Sequence, residues 1–216
     1  MAEGPSTADA PGEPFVLAAF DFDGTISHRD SLLPFLVAVR GRTAVAGALV
    51  RISPQLAAMA IGHGDRDAAK ERLVAALLTG HSAEEIDAAG RRHADELGDR
   101  LRPATLERVR WHRDKGHRLV MISASPAVYL EPLAADLGFD AVLATGLEAD
   151  DTGRLTGRLS GANVRGPEKV ARLDAWLGER RPTELWAYGD SEGDRELLAA
   201  ADHAFRVERS GAIRRT

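Results

Sequence analysis

The chain has 216 residues with 44% hydrophobic and 28% charged side chains, a formal net charge of -5 at pH 7, and no cysteine. This length and composition predict an ordinary globular protein with one good core and a small accessory domain, and they exclude overall disorder. Without cysteine the chain forms neither disulfides nor thiolate zinc sites, and its acidic balance gives no reason to expect nucleic acid as a partner.

The first residues, 1–14, contain Gly, Pro, Ser and acidic side chains but neither the basic nor the apolar region of a signal peptide. We therefore expect them to form a disordered tail. The sequence contains no run of about 18 uncharged apolar residues, and the nearest approach, 43–61, is interrupted by Arg51, Pro54 and Gln55. The cytoplasm is the default compartment for such a chain.

The apolar run from Phe15 to Phe20 predicts a buried strand, and it ends abruptly at two carboxylates, Asp21 and Asp23. Because the chain is leaving the strand here, both carboxylates can point into the space beyond its carboxyl end. Two crowded carboxylates raise each other's pKa unless a cation or a proton lies between them, so the pair indicates a metal. The alternative is an ordinary Asp-Gly turn, which needs only one Asp.

The Ala-rich and Leu-rich region 30–102 contains no convincing strand and predicts a helical insert. Glycines separate its segments, and a residue that favours the N-cap position stands near each predicted helix start. These starts are Asp30, Thr43, Asp65 and Ser82. The pattern is typical of a small helical bundle.

Beyond Pro103 strands alternate with helices, which is typical of a parallel sheet with crossover helices. The predicted strands are 118–125, 140–145, 185–188 and 204–207, and the predicted helices are 103–115, 126–137, 167–180 and a last one that continues to Ala201. Residues 146–159 predict a hairpin around Asp-Thr-Gly.

Polar side chains follow the predicted parallel strands at their carboxyl ends, which is where open parallel sheets bind ligands. In chain order they are Asp21, Asp23, Ser123, Asp190 and Asp194. Four carboxylates converging on one crevice need positive charge before they can accept an anion. Oxygen ligands without cysteine or paired histidine favour magnesium over zinc, so the four aspartates are the predicted metal residues.

The sequence Asp21-Phe22-Asp23-Gly24-Thr25 resembles motif one of the haloacid dehalogenase superfamily of phosphotransferases, Asp-x-Asp-Gly-Thr. The resemblance implies that Asp21 is the nucleophile and that Asp23 is the general acid and base. It also bears on the reaction class, because phosphatases and phosphomutases of the superfamily keep the second Asp and its dehalogenases lack it.

Three further motifs of the superfamily are matched downstream. Ser123 resembles the motif-two hydroxyl that hydrogen-bonds the transferring phosphoryl group; the alternative is a helix cap, a role that Ser125 fits better. Lys169 resembles motif three. It is predicted to lie in the first turn of a helix, where its positive charge interacts unfavourably with the helix dipole; functional residues often break a local rule of this kind. A solvated surface lysine is the alternative. Asp190 and Asp194 resemble motif four, which implies that Asp190 binds magnesium directly and Asp194 supports the site.

The insert lies between the first and second strands, where the phosphoserine-phosphatase-like branch of the superfamily, subfamily IB, carries its cap domain. The resemblance therefore implies an α/β fold, a Rossmann-like doubly wound parallel sheet core with an inserted helical cap domain. Residues 15–29 and 103–208 are assigned to the core, 30–102 to the cap, and 209–216 to a C-terminal tail.

Two positions depart from the phosphoserine phosphatase pattern. Gly193 stands where those enzymes usually have Asn before the last Asp, which argues against a strict phosphoserine assignment. Asp30 stands where they carry a Glu that faces the substrate amine, so it is a candidate substrate residue. The interpretation we favour for Asp30 is the N-cap of the first cap helix. The histidines show no spacing typical of metal ligands.

Together these residues predict a magnesium-dependent phosphomonoester hydrolase that acts through an aspartyl phosphate on a small phosphorylated metabolite. Candidate substrates are a phosphoserine-like ester, another amino-alcohol phosphate and a lysophospholipid. The alternatives are a phosphotransferase or phosphomutase, and a non-catalytic binding protein on the same scaffold. The expected partners are the phosphate ester and Mg²⁺, without nucleic acid, in a monomer or homodimer.

Residues 43–61 carry more apolar side chains than one face of a small bundle helix needs. The interpretation we favour is that they pack inside the cap or against the core. The alternative is that some line the entrance and contact a hydrophobic leaving group, a membrane surface or a second subunit, with Arg40, Arg42 and Arg51 flanking the segment.

Overall fold

The computed structural model describes residues 14–54, 57 and 65–216. The strands of this part, in chain order, are β1 (Val16–Phe20), β2 (Arg118–Pro126), β3 (Ala141–Ala149), β4 (Leu155–Ser160), β5 (Glu184–Gly189), β6 (His203–Val207) and β7 (Ile213–Arg215). They form one sheet in the order β4-β3-β2-β1-β5-β6-β7, with β1 in the centre. The strands from β3 to β6 in this order pair in parallel, and β4 and β7 join the two edges antiparallel.

The helices of the described residues are α1 (Leu32–Arg51), α2 (Arg66–Leu78), α3 (Ala83–Leu97), α4 (Pro103–Asp114), α5 (Ala127–Leu137), α6 (Pro167–Leu177) and α7 (Arg195–Ala199). Short 3-10 turns lie at Gly98–Arg100 and Glu192–Asp194. The predicted α/β fold with a parallel sheet is confirmed, and the predicted helices of region 30–102 correspond to α1, α2 and α3.

Both faces of the sheet are buried, which explains why its central strands consist of continuous apolar runs rather than alternating ones. Since successive side chains of a strand point to opposite faces, Ala18 and Phe20 of β1 face one core and Leu17 and Ala19 face the other. The first core contains residues of α4, α5 and the helical insert, whereas the second contains residues of α6 and α7. The insert thus shares one apolar core with one side of the sheet.

Helix α3 anchors the insert through a close contact with α5. Gly90 makes this contact, since a Cβ atom there would lie 2.3 Å from the carbonyl oxygen of Val128. Backbone hydrogen bonds also join the turn between α2 and α3 to the β3–β4 hairpin, from Gly80 to Leu155 at 2.8 Å and from Ala83 to Gly153 at 2.9 Å. Two separate contacts therefore hold the insert against the rest of the protein.

Helix α1 joins the two helices that the sequence predicts at Asp30 and Thr43, with an interruption at Gly41 (φ 79°, ψ 159°). By length and composition α1 is the one helix in the described ranges that could cross a membrane. Gly41 breaks it in the middle, however, so that its halves do not form one continuous rod. Its apolar residues Val45 and Ala48 are buried.

The apolar segment 43–61 can be compared with its prediction only in part. Val45, Ala48 and, just after the helix, Ile52 are buried in the core, as the packing interpretation requires, whereas Val50 is 72% exposed. Leu56, Met59 and Ile61 lie outside the described residues, as does the predicted tail 1–14 apart from Pro14.

Two local assignments are wrong. The sequence predicts a tail at 209–216, but Ile213–Arg215 forms β7, whose backbone pairs with β6. The sequence also predicts that Ser125 caps the following helix, but the N-cap is Pro126 and no side chain caps that end. In the C-terminal segment, pairing with β6 outweighs the polar character of the sequence. The hydroxyl of Ser125 is instead held by a hydrogen bond within the candidate site.

Candidate active site

The carboxyl ends of three neighbouring strands, β1, β2 and β5, meet at one edge of the sheet. Because β2 and β5 both pair in parallel with β1, the residues that follow them emerge side by side. A pocket of about 110 Å³ opens there, lined by Asp21, Asp23, Ser123, Ala124, Arg165, Lys169, Ser191, Gly193 and Asp194. Asp23 and Ser191 also line an open cleft of about 650 Å³, to which Asp190 contributes.

Among the described residues, Lys169 is the only cationic side chain of the pocket that is fully buried. Only 2% of its surface is exposed. Helix α6 begins at Pro167 after the N-cap Gly166, so Lys169 lies in its first turn, as predicted. Its Nζ lies 2.6 Å from Oδ1 of Asp21 and 2.5 Å from Oδ1 of Asp194. The surface-lysine alternative is therefore excluded, because this ammonium bridges two buried carboxylates.

Two carboxylates share this single ammonium, which leaves one negative charge uncompensated in a buried place. Burial raises the pKa of Asp21 above its usual range, against the attraction of Lys169. Burial also opposes the charged form of Lys169, but Asp21 and Asp194 outweigh it and hold the pKa of Lys169 above its ordinary value. The site is therefore short of one positive charge.

Asp194 holds the loop after β5 in place. Its Oδ2 accepts hydrogen bonds from the backbone N–H of Asp190 at 3.2 Å and of Ser191 at 3.0 Å, and from the Ser191 hydroxyl at 2.9 Å. Gly189 permits this approach, because a Cβ atom there would lie 2.5 Å from that of Asp194. With its other oxygen on Lys169, Asp194 orients both the loop and the ammonium.

One oxygen from each of Asp21, Asp190 and Asp194 lies within 4.8 Å of the other two. The close approach of Asp190 depends on Gly24 (φ 83°), where a Cβ atom would lie 2.3 Å from Asp190 Oδ2. Burial, followed by the charge of Asp194, raises the pKa of Asp190. An oxygen-only, excess-negative group of this size fits a hard divalent cation such as Mg²⁺.

Asp23 does not belong to this acidic group in the described structure; its carboxylate turns toward β2 instead. Oδ2 accepts a hydrogen bond of 2.5 Å from the Ser125 hydroxyl, and the hydroxyl of Ser27 lies 3.5 Å from Oδ1. Burial raises the pKa of Asp23 to about 6, although the Ser125 hydrogen bond opposes this shift. A carboxyl group with that pKa can both give and take a proton near neutral pH.

Ser125 belongs to a buried set of hydroxyl groups behind Asp23. Ser31 Oγ lies 3.3 Å from Ser125 Oγ and 2.9 Å from the hydroxyl of Tyr129, which is completely buried. Ser123, 2% exposed, accepts a hydrogen bond of 3.2 Å from the backbone N–H of Ser125. Ser125 is a site residue that the motifs did not indicate; the Ser-Ala-Ser spacing at the end of a predicted strand is the signal that could have found it.

Asp30 caps α1, because its Oδ2 accepts a hydrogen bond of 3.1 Å from the backbone N–H of Leu33. It is exposed and also lines the 650 Å³ cleft, so both interpretations of Asp30 are compatible with its position. Arg40, Arg42 and Arg51 are exposed. They line none of the pockets found at the candidate site in the described residues.

Lys70 reaches the site from the helical insert, and no sequence pattern indicated it. From α2 its Nζ donates to the carbonyl oxygen of Ala124, directly after Ser123, and to Oδ1 of Asn163 at 2.6 Å. Asn163 in turn donates to Asp67 at 2.7 Å. Burial lowers the pKa of Lys70 to about 8. Through these bonds the insert holds the carboxyl end of β2, which carries Ser123.

Comparison with known proteins agrees with this geometry. The family model of haloacid dehalogenase-like hydrolases matches residues 18–199. The chain is 38% identical over 208 residues to Protein CicA of Caulobacter vibrioides, covering 95% of this chain and 91% of that protein. It is 30% identical over 195 residues to a phosphoserine phosphatase of Halobacterium salinarum, covering 89% of this chain and 85% of that enzyme. A protein of unknown function from Bordetella pertussis Tohama I has a similar structure, with a TM-score of 0.76, 27% identity and 89% of each chain covered.

Proposed function

Since the chain belongs to the haloacid dehalogenase-like hydrolases and is a phosphatase, we propose that it hydrolyses a small phosphate monoester with magnesium through an aspartyl phosphate on Asp21. Residues 15–29 and 103–208 form the catalytic core in this proposal, and 30–102 form the cap that selects the leaving group. We further propose that the protein works in the cytoplasm.

The observation that carries the proposal is the environment of the Asp21 carboxylate. Lys169 holds Oδ1 at 2.6 Å, whereas Oδ2 has no hydrogen-bond partner in the part of the chain that the structure describes. The free oxygen belongs to a buried strand-end carboxylate in a pocket that also contains Ser123 and Asp23. Such a fixed, partly desolvated carboxylate is suited to nucleophilic attack on phosphorus.

In the proposed reaction Asp21 Oδ2 forms a bond to phosphorus as the ester P–O bond breaks, and Asp23 gives its proton to the leaving alkoxide. Asp23 then takes a proton from the water that attacks the aspartyl phosphate, which releases inorganic phosphate and restores Asp21. Ser123 and Lys169 bind the phosphoryl oxygens. Mg²⁺ held by Asp21 and Asp190, with Asp194 in support, would supply positive charge against the developing negative charge.

The proposed substrates are a phosphoserine-like ester, another amino-alcohol phosphate or a lysophospholipid. The similarity to a phosphoserine phosphatase supports the first of these, and Gly193 argues against that enzyme's exact specificity. The exposed carboxylate of Asp30, on the rim of the cleft, suits a substrate with a cationic amine. Release of phosphate from a panel of phosphorylated metabolites is the experiment that tests this proposal.

Product analysis in the same experiment tests the two alternatives. A phosphomutase or phosphotransferase would move the phosphoryl group to an alcohol without releasing inorganic phosphate. A non-catalytic binding protein would release no product from any ester. The proximity of Asp190 to Asp21, with oxygens within 4.8 Å, supports the catalytic proposal over the binding protein.

Removal of the metal should stop phosphate release. Exhaustive chelation should remove activity and added magnesium should restore it, because the acidic group around Asp21 requires a cation. Asp190→Ala should raise the magnesium concentration needed for half-maximal activity by about tenfold or more, since it removes one carboxylate from that group. Asp151→Ala, in the exposed hairpin turn, is the matched control. Activity that survives chelation would contradict the metal requirement.

Asp23→Asn should slow hydrolysis according to the leaving group. An alkyl phosphate needs a proton on its departing oxygen and should lose about 10²-fold or more, whereas p-nitrophenyl phosphate should lose much less in the first step. Single-turnover kinetics on both esters measure the difference, with Asp136→Asn on the exposed face of α5 as control. Equal losses on the two esters would exclude Asp23 as the general acid.

A further inference from the structure

The backbone conformation at Gly193 does not require a glycine. Its φ lies outside the positive range that favours glycine, in contrast to eleven other glycines of the described chain. The reason is a neighbouring side chain, because a Cβ atom at Gly193 would lie 3.1 Å from both Cγ and Nε of Arg165. The missing Cβ therefore makes space for this arginine at the wall of the 110 Å³ pocket.

The backbone holds Arg165 in this place. Its N–H donates to the carbonyl oxygen of Asn163 at 2.7 Å, and the next residue, Gly166, donates to the carbonyl oxygen of Gly193 at 2.8 Å. The loop before α6 is thus bonded directly to the loop after β5. Because this bond fixes the relative position of the two loops, the Arg165 side chain lies over Gly193.

The guanidinium of Arg165 is available to a ligand. It makes no hydrogen bond within the ranges that the structure describes. Its charge interacts with the carboxylate of Glu196, but that carboxylate is already paired with Arg195 at 2.7 Å. The pocket beside it holds three carboxylates and one ammonium. A phosphoryl dianion that enters this acidic place is stabilised by each further cationic donor within its reach, in addition to Lys169 and a bound metal.

We propose that Arg165 is a further phosphate-binding residue, which donates hydrogen bonds to the phosphoryl oxygens of the substrate, and that Gly193 is needed to make room for it. The inference rests on the proposed function and goes beyond it by adding a second cationic side chain to Lys169. A planar guanidinium suits this task, because it offers paired N–H donors to two oxygens of one phosphate.

The test is titration of the full-length protein with inorganic phosphate and with orthovanadate in the presence of magnesium. Arg165→Ala should weaken both affinities by about tenfold or more, and Arg165→Lys should recover only part of the loss. Gly193→Asn should weaken them as well, since its side chain displaces Arg165. In the double variant the two losses should not add, because Arg165 has already been displaced.

Arg172→Ala is the matched control, because this arginine of α6 pairs with Glu168 at 2.7 Å outside the pocket. If the wild-type protein binds phosphate and hydrolyses an ester but Arg165→Ala changes neither affinity by more than about twofold, the inference fails and the proposed function stands. A loss limited to esters with an anionic leaving group would also overturn it. If the wild-type protein neither binds phosphate nor hydrolyses any ester, both fail.

Discussion

Asp21→Asn is expected to lower the rate of phosphate release by about 10⁴-fold or more while the protein remains folded. An amide oxygen is a poor nucleophile, so the covalent step is lost. The shape of the site should survive, because the Asn oxygen can still accept a hydrogen bond from Lys169. The substitution also removes one of two buried carboxylates that share that ammonium, so the metal-free variant should be at least as stable as the wild type.

Phosphate release and thermal unfolding, both with and without magnesium, measure these two effects. Beryllium fluoride provides an independent readout, since it should bind wild-type protein as an acyl-phosphate mimic and should not bind Asp21→Asn. Asp136→Asn, which makes the same chemical change at an exposed position, should behave as wild type in every assay. Full activity in Asp21→Asn would falsify the covalent mechanism.

Lys169→Met should produce the largest loss of stability of any single change at this site. It leaves Asp21 and Asp194 facing each other without a cation, at positions only 6% and 1% exposed. Loss of one partner from a buried ion pair costs about 3–5 kcal/mol, which for a protein of this size lowers the melting temperature by about 10 °C. Magnesium should restore part of this stability, because it supplies positive charge to the same carboxylates.

The stability difference between Lys169→Met and wild type should also depend on pH. Since burial raises the pKa of Asp21, its protonation in acid removes the uncompensated charge, so acid should narrow the stability difference between Lys169→Met and wild type and higher pH should widen it. Lys115→Met, at an exposed position beyond α4, serves as the matched control and should leave stability within about 0.5 kcal/mol of wild type. A melting temperature for Lys169→Met equal to that of wild type would show that the ion pairs of Lys169 do not stabilise the fold.

The sheet and the main site residues could be predicted because their signals are local. A parallel strand that is buried on both faces must be apolar throughout, as β1 and β2 are, and its end is marked where aspartate or serine begins. The Gly-Pro start of α6 fixes Lys169 in the first helical turn without any knowledge of tertiary structure. These features depend only on residues adjacent in the chain.

The remaining features depend on residues that are distant in the chain. Lys70 has the sequence context of an ordinary surface lysine, and only the packing of α2 brings its ammonium to the carbonyl of Ala124. Ser125 satisfies the local rule for a helix cap, yet its hydroxyl bonds Asp23, which lies 102 positions earlier in the chain. Arg165 becomes a site residue only because Gly193 approaches it. Sequence periodicity carries no information about such contacts.

The two antiparallel edge strands have a consequence for how copies of the protein meet in concentrated solution. An open sheet edge offers unpaired N–H and C=O groups to the edge of another chain, which leads to aggregation. At the β4 edge the turn after α2 already occupies the backbone of Leu155, whose N–H donates to the carbonyl oxygen of His81 at 2.8 Å and whose carbonyl oxygen accepts from the N–H of Gly80 at 2.8 Å. At the opposite edge β7 has only three residues, and two of them are arginines. One edge is therefore covered and the other is short and charged, so neither is a template for edge-to-edge aggregation.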